Sequence, residues 1–327
     1  MSKYSLIIIH RGESYERDFQ EISEKVVEID PRITVYFCSS GYKRQIPAAA
    51  WANPALTVAI TSKFLPAIRR GPILRNFPIP KLVQASRVRE AGLNTPPIQA
   101  FKFGMKLDPL LFGNLVILKP MTLTSKGLGV HLFRRARAER LKPGDFPPDH
   151  PIHSDPDGYL VQRFIDTGPH PSWNRVITFF GQPIYAVFGA LLAERPPLDA
   201  PDEVLESATI AIQGAERQRI WQVEDDVIDF AKRIGATFGE IPLLAIDMLR
   251  EASTGRLYFL EGNPGGNVWH FSSDQPGGIN LRLQWGEAAK VGRARALELG
   301  RERMIAQFGA FDVCARVLVE KTLALAA

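Results

Sequence analysis

The sequence predicts an α/β protein in which a small parallel-sheet unit precedes a larger body built from hairpins. Three observations carry this. Short apolar runs at residues 5–9 (SLIII), 33–38 (ITVYFC) and 56–61 (LTVAIT) are separated by helical or irregular crossovers, the pattern of a parallel sheet. Further on, apolar strands come in pairs joined by turn residues, as at 175–180 and 184–189 around Gly181-Gln182-Pro183. Finally, residues 243–270 read as a hairpin that carries acids inside apolar runs and ends in a glycine-rich turn.

The 327 residues suffice for a sizeable core and two or three subdomains. No apolar run reaches the length of a membrane span, and the start turns charged too soon for a secretory signal. Cys38 and Cys314 stand far apart in no metal or redox spacing, so a reduced cytoplasmic protein is the default expectation. A formal charge of +5 suits an anionic small ligand such as a nucleotide. No recognisable nucleic-acid module accompanies it, so neither nucleic acid nor membrane is an expected partner.

In chain order, the first strand leads to a helix over about 13–27. His10, Arg11 and Glu13 fall at the C-terminal end of that strand, where open α/β sheets bind ligands, although a solvated loop is the plainer reading. Arg69, Arg70 and Arg75 make a basic segment broken by glycine and proline, able to hold an acidic substrate or simply to face water. Residues 81–91 read as a helix capped by Gly92. A strand at 115–118 then ends in Lys119, a loop over 121–129 (MTLTSKGLG) follows, and 130–133 return as a strand. This is a hairpin-borne flap whose glycines let backbone N–H groups approach phosphate. It lacks the Gly-x-x-x-x-Gly-Lys-Ser/Thr pattern, which disfavours a P-loop NTPase. Residues 134–157 read as an exposed connection, 158–165 as a strand, 195–222 as polar and irregular, and 224–234 as a helix ended by Gly235. After Gly278 two helical stretches, about 285–308 and 312–325, finish the chain. The remaining histidines, His131, His150, His153 and His170, show no ligand spacing, and the tryptophans read as packing. Trp269 alone, just past the glycine turn, could line a pocket.

The hairpin at 243–262 is the chemical centre. If it is centred on Thr254, Asp247 lies directly opposite Glu261, with Cβ atoms about 4.5–5.5 Å apart. Asn263, two residues on, leaves the same face of the strand. Two opposed carboxylates repel unless a cation or proton lies between them. An Asp, a Glu and an Asn carbonyl are hard oxygen ligands that suit Mg²⁺. A solvated sheet face is the plain alternative.

Taken in order, the Lys-ended strand with its flap (ILKPMTLTSKGLGV), the Gln-Arg-Phe-Ile strand, the Arg-headed hairpin and IDMLREASTGRLYFLEGNPGG resemble the ATP-grasp superfamily. Within it, they look most like the carboxylate–amine ligases of the RimK and glutathione-synthetase type. The resemblance covers about residues 79–267. It implies an α+β ATP-grasp fold of two subdomains with ATP between them, preceded by an α/β pre-ATP-grasp domain. The expected division is 1–78, 79–168 for the small subdomain with flap and hinge, and 169–327 for the large one.

The resemblance also implies roles. Lys119 and Lys81 would contact the nucleotide; Ser125, Lys126, Gly127 and Gly129 would form the flap; Gln162, Arg163, Phe164 and Ile165 would form the hinge against adenine, with Asp166 near the ribose. Arg175 would lie near the transferred phosphate and acyl group. Asp247, Glu261 and Asn263 would hold two Mg²⁺ ions, for which Mn²⁺ could substitute. Gly265 and Gly266 would allow close approach to the acyl group. The implied activity is ATP-dependent condensation of a small carboxylate with an amine, of amino-acid or small-peptide type, through an acyl phosphate. A small-molecule kinase and a catalytically silent nucleotide-binding protein stand as alternatives, and the family suggests dimers or tetramers.

Overall fold

The computed structural model describes residues 3–39, 46–61, 65, 67–68, 70–121, 129–208, 210, 216–221 and 223–326. The first sheet is parallel throughout. Strand β1 (Tyr4–His10) is buried on both faces, which is why its sequence is continuously apolar. Helix α1 (Glu16–Ile29) leads to β2 (Ile33–Ser39), and β3 (Ala55–Ala59) and β4 (Ile73–Arg75) complete the order β2-β1-β3-β4.

Helix α2 (Lys81–Glu90) follows, and then a second, antiparallel sheet. Its members come in chain order as β5 (Ile98–Ala100), α3 (Pro109–Phe112), β6 (Leu115–Pro120), β7 (His131–Arg134), α4 (Arg135–Ala138) and β8 (Tyr159–Arg163). The strand order is β5-β8-β6-β7. The segment between β7 and β8 is not the open connection its charge and prolines predict. Leu141, Phe146 and Ile152 are buried with Phe101, Val116 and Val161, so it closes the core of this small sheet.

The third sheet is antiparallel and largest. It comprises β9 (Ser172–Phe179), β10 (Gln182–Leu191), β11 (Arg217–Ile220), β12 (Leu243–Arg250) and β13 (Leu257–Pro264), in the order β11-β10-β9-β12-β13. Helix α5 (Asp202–Glu206) precedes β11, and α6 (Asp225–Thr237) precedes β12. Strand β11 lies inside the stretch that reads as irregular. Its sequence, Arg-Gln-Arg-Ile, has no apolar face to announce a strand, because it is an edge strand.

One face of this sheet is covered by α6 and α2. Val176, Ile246, Met248 and Phe259 pack there with Ile234 and Val88. The other face is partly covered by the C-terminal helices α7 (Pro276–Trp285), α9 (Arg293–Phe308) and α10 (Ala310–Leu325), with the short α8 (Ala288–Val291) between α7 and α9 in the chain. A single core runs from Leu6, Phe19 and Val58 of the first sheet's layer through Phe311 and Leu318 to Ile177, Phe179 and Leu243.

The long C-terminal helix expected over 285–308 is broken in two places. Gly286 ends α7, and Gly292, with φ of 78°, separates α8 from α9. These breaks let α7 and α9 cross closely. A Cβ on Gly286 would lie 1.7 Å from the Ala296 carbonyl oxygen, and one on Gly300 would lie 2.1 Å from that of Arg282. Both obstacles are backbone, so neither can swing aside. Gly300→Ala, in the middle of α9, should therefore destabilise the chain by about 3 kcal/mol despite the better helix propensity of alanine. Urea unfolding of the variant measures this, and an unchanged midpoint would show that the helices part freely.

Candidate active site

The uncovered part of the third sheet's face carries the acids. The hairpin pairs Arg250 with Leu257 and Met248 with Phe259, a register that would set Asp247 against Leu260. A bulge between Met248 and Asp247 inserts one residue in β13, and Asp247 pairs with Glu261. The opposition expected from a turn centred on Thr254 is thus present for a different reason. The bulge also separates two functions. Phe259 and Met248 go to the core face, while Glu261 and Asp247 go to the open face with Arg175, which pairs with Asp247 across β9. Glu261, Asp247 and Arg175 form one row across three strands; Asn263, Ala245 and Ile177 form the next.

Arg175 donates from Nε to Asp247 Oδ1 at 2.6 Å and from a terminal nitrogen to Oδ2 at 2.7 Å. This bidentate geometry orients the guanidinium and leaves its other N–H groups uncommitted to Asp247. The Asn263 amide nitrogen lies between the two acids, 3.0 Å from Asp247 Oδ2 and 3.2 Å from Glu261 Oε1. Burial alone would raise the Glu261 carboxyl, but Lys119 and Lys81, helped by Asn263 and Arg175, hold it below its ordinary range. Burial pushes Asp247 up against the pull of Arg175, so its ionised form depends on that guanidinium.

Both expected lysines face these acids from the second sheet and α2. Lys81 opens α2 directly after Pro80, and its Nζ is 3.6 Å from Glu261 Oε2 and 3.3 Å from the Pro120 carbonyl oxygen. Lys119 is buried and donates to Gln162 Oε1 at 2.7 Å. Burial lowers its ammonium to about 8, with Glu261 opposing. A cavity of about 260 Å³ is lined by Lys81, Lys119, Gln162, Arg175, Asp247 and Glu261, together with Arg163, Phe164 and Ile165.

Within the hinge stretch, the Arg163 and Phe164 amides already donate to Pro97 and Leu115. The Arg163 side chain pairs with Glu251 at 3.1 Å. Ile165 is the first amide past the strand free of a backbone bond among the described residues. Asp166 lies just beyond, its Oδ1 accepting from Arg195 at 2.8 Å and from the Gly168 amide at 2.9 Å, which commits that oxygen to the loop. Gly129 has φ of 73°, a conformation costly for other residues, at the near end of the flap. Ser125, Lys126 and Gly127 lie outside the described residues, as does Arg69. Arg70 and Arg75 are exposed. His10 is buried, stacked on Phe19 and bonded through Nδ1 to the Gly12 carbonyl oxygen, so it is part of the core.

Three outcomes differ from the sequence reading. Trp269 is fully buried and donates its indole N–H to Asp18 at 2.8 Å, so it packs the core and does not line this cavity. Trp173, read as packing, lines the cavity, its ring lying so close over Gly189 that a Cβ there would sit 2.3 Å from it. His131 and His150, read as unrelated, bring their Nε2 atoms within 3.4 Å. Sequence reasoning also passed over Gln84, one turn after Lys81. Its buried amide donates to the Gly262 carbonyl at 2.9 Å and accepts from the Gly262 N–H at 2.7 Å, tying α2 to the strand edge between Glu261 and Asn263. A buried glutamine in a polar helix was the available signal.

His270 has a consequence for pH. Burial pushes it down to about 3, and Arg175, Arg282 and Arg219 push the same way. The unfolded chain takes up this proton near pH 6.5, whereas the folded chain refuses it until about 3. Stability is therefore lost as pH falls through that window. His270→Gln should reduce the slope of unfolding free energy between pH 6 and 4 by about 1.4 kcal/mol per pH unit. Equal slopes for variant and wild type would disprove it.

No helix among the described residues is long and apolar enough to cross a membrane. No protein-family model and no curated protein matches the chain. Among solved structures it is similar to D-cycloserine synthetase DcsG, at 14% identity and a TM-score of 0.45 over 92% of this chain and 99% of that one. It is also similar to the macrocyclase MdnC bound with precursor peptide MdnA from Microcystis aeruginosa, at 11% and 0.49 over 97% and 99%. For D-alanine–D-alanine ligase from Bacillus anthracis complexed with ATP the figures are 12% and 0.41 over 98% and 99%. Within this chain, the lysine-bearing strand β6 of the second sheet and the opening of α2 face the acid hairpin of the third sheet across one cavity.

Proposed function

We propose that this chain is an ATP-dependent ligase that activates a small carboxylate as an acyl phosphate and condenses it with an amine. The observation that carries the reading is the row Glu261–Asp247–Arg175, which faces Lys81 and Lys119 across one cavity. Opposed rows of acids and bases around a cleft of this size suit a polyphosphate and its cation better than either would suit water.

The donor set fits Mg²⁺. Asp247 and Glu261 would supply carboxylates, and the Asn263 amide, which lies beside both, would add its oxygen to the donor set once flipped. Mg²⁺ is held by one or two carboxylates plus substrate phosphates, so no larger protein cage is required. When bound, it neutralises phosphate charge and orients the transferred group.

The chain's own residues do the rest. Lys119, fixed by Gln162, and Lys81, fixed by the Pro120 carbonyl, bind phosphate oxygens. The Ile165 amide meets the adenine edge. The substrate carboxylate oxygen attacks the γ-phosphorus and ADP leaves; the amine nitrogen then attacks the acyl carbon, loses a proton, and phosphate leaves. The Arg175 N–H groups not engaged by Asp247 stabilise charge on the transferred phosphoryl and acyl oxygens. Gly129 and Gly265, both at positive φ, let backbone approach the intermediate and exclude water.

The test is ADP release by purified protein with Mg-ATP against pooled small carboxylates and amines, followed by mass spectrometry. ADP release that needs both an acid and an amine, with a condensed product, is expected. A phosphorylated product without condensation would make the protein a kinase, and failure to bind Mg-ATP would remove the nucleotide reading altogether.

A further inference from the structure

The same open sheet face continues past Arg175 towards its edge, where it carries positive charge without matching acids. Gly189 of β10 pairs with Trp173 on one side and Arg219 on the other, and Leu191 pairs with Arg217. Arg217 and Arg219 therefore share a face with Trp173, Arg175, Asp247 and Glu261. Both arginines are half-buried. Trp173 and Leu191, their neighbours on that face, line the cavity, so the arginines stand at its end.

The strand that bears them is held firmly. Trp221, directly after β11, stacks on Trp285 of α7 at 3.9 Å between ring centroids. Arg219 donates to Gln284 Oε1 at 2.9 Å, a neutral partner. Neither arginine pairs with a carboxylate among the described residues, and no aspartate or glutamate of the chain lies outside them. Asp247, the acid in the nearest row, is engaged by Arg175.

Half-buried cations gathered without counter-charges are costly unless an anion completes them. The mutual strain is visible in their ionisation. Burial, Arg217 and Arg175 lower Arg219 to about 10, and burial and Arg175 lower Arg217.

We propose that Arg217 and Arg219 form a second anion subsite that binds a non-reacting carboxylate of the substrate, so that either the acid or the amine carries an extra carboxylate. Arg175 then acts on the reacting carboxyl while the β11 pair fixes the other end of the molecule. Two planar forks projecting from adjacent same-face positions of one strand match a carboxylate well. The inference deepens the ligase reading and rests on it for the identity of the site.

Two measurements test it. The first needs no turnover: calorimetric titration of glutarate into the full chain saturated with Mg-ADP, which occupies the nucleotide half. Binding that weakens at least tenfold in Arg217→Gln/Arg219→Gln is expected, with a Tm equal to or above wild type because an unmatched charge pair is removed. No glutarate binding by wild type, equal binding by the variant, or a clear loss of Tm would overturn the subsite. The second divides the ADP-release pools into monocarboxylates and dicarboxylates, each with simple amines or amino acids. Release only where an extra carboxylate is present, with KM raised at least tenfold in the double variant and kcat changed less, supports the proposal. The active pool shows whether acid or amine bears that group. Release from a simple acid with a simple amine at undiminished rate would overturn it. No release from any pool, with glutarate binding intact, would sink the ligase reading and leave the subsite standing.

Discussion

Glu261→Gln should reduce ADP release at least a thousandfold while leaving the fold and its stability nearly unchanged. The substitution keeps shape and hydrogen-bonding capacity and removes one negative charge. That charge is the one Lys119, Lys81 and Arg175 hold ionised, and on the proposed reading it is the charge that meets the cation. Electrostatic stabilisation of a transferring phosphoryl group is commonly worth about 3–4 kcal/mol per interaction, enough for two to three decades of rate, and loss of a metal ligand adds to it. Stability changes little because Glu261 makes one long contact to Lys81 and shares Asn263 with Asp247. Asp247→Asn provides the contrast. It too should abolish turnover, but it also strips half-buried Arg175 of the one carboxylate it pairs with among the described residues, a change that costs about 1–3 kcal/mol. Activity near wild type in Glu261→Gln, or equal destabilisation by both variants, would break the assignment of Glu261 to the metal and Asp247 to the dual role.

The difference between those two acids was not legible in the sequence, although both residues were. Acids inside apolar strands are rare enough to single out Asp247 and Glu261, and lysine at a strand end did the same for Lys119. What pattern reading lacked was the third dimension of the sheet. Arg175 is 72 residues from Asp247 in the chain, and only the β9–β12 pairing makes them a bidentate couple. The bulge in β13 has no residue signature, since Leu260 is an ordinary strand residue; the expected opposition of Asp247 and Glu261 followed from a turn centre half a residue away from the real one. Strand β11 was missed because two arginines and a glutamine in four residues look like solvent, which is how an edge strand bordering a charged cleft must look. Trp173 and Trp269 exchanged expectations for a related reason. Each sits beside a motif, but the sheet alternation sends Trp173 to the cleft, whereas the turn after Gly265 returns Trp269 to the core.

The buried position of Trp269 leads to the largest effect expected on stability. Its indole N–H and the Ser272 hydroxyl both donate to Oδ2 of Asp18, and Arg301 donates twice to Oδ1, at 2.9 and 2.7 Å. Asp18 lies on α1 and is fully buried; Arg301 lies on α9 and is nearly so. The network thus fastens the first sheet's layer to the C-terminal helices beside the acid hairpin. Asp18→Ala removes the acceptor for four donors and leaves Arg301 with Glu21 alone, at 2.9 Å. The expected cost is about 3–5 kcal/mol, the range for breaking a buried pair from one side. Because most of that cost is the charge left behind, Asp18→Ala/Arg301→Met should be less destabilised than the sum of its single variants, by more than 1 kcal/mol. Urea unfolding of the four proteins in the cycle measures the coupling. Strict additivity would mean that the two groups stabilise the chain independently, and that the core around Trp269 rather than the ion pair holds the layers together.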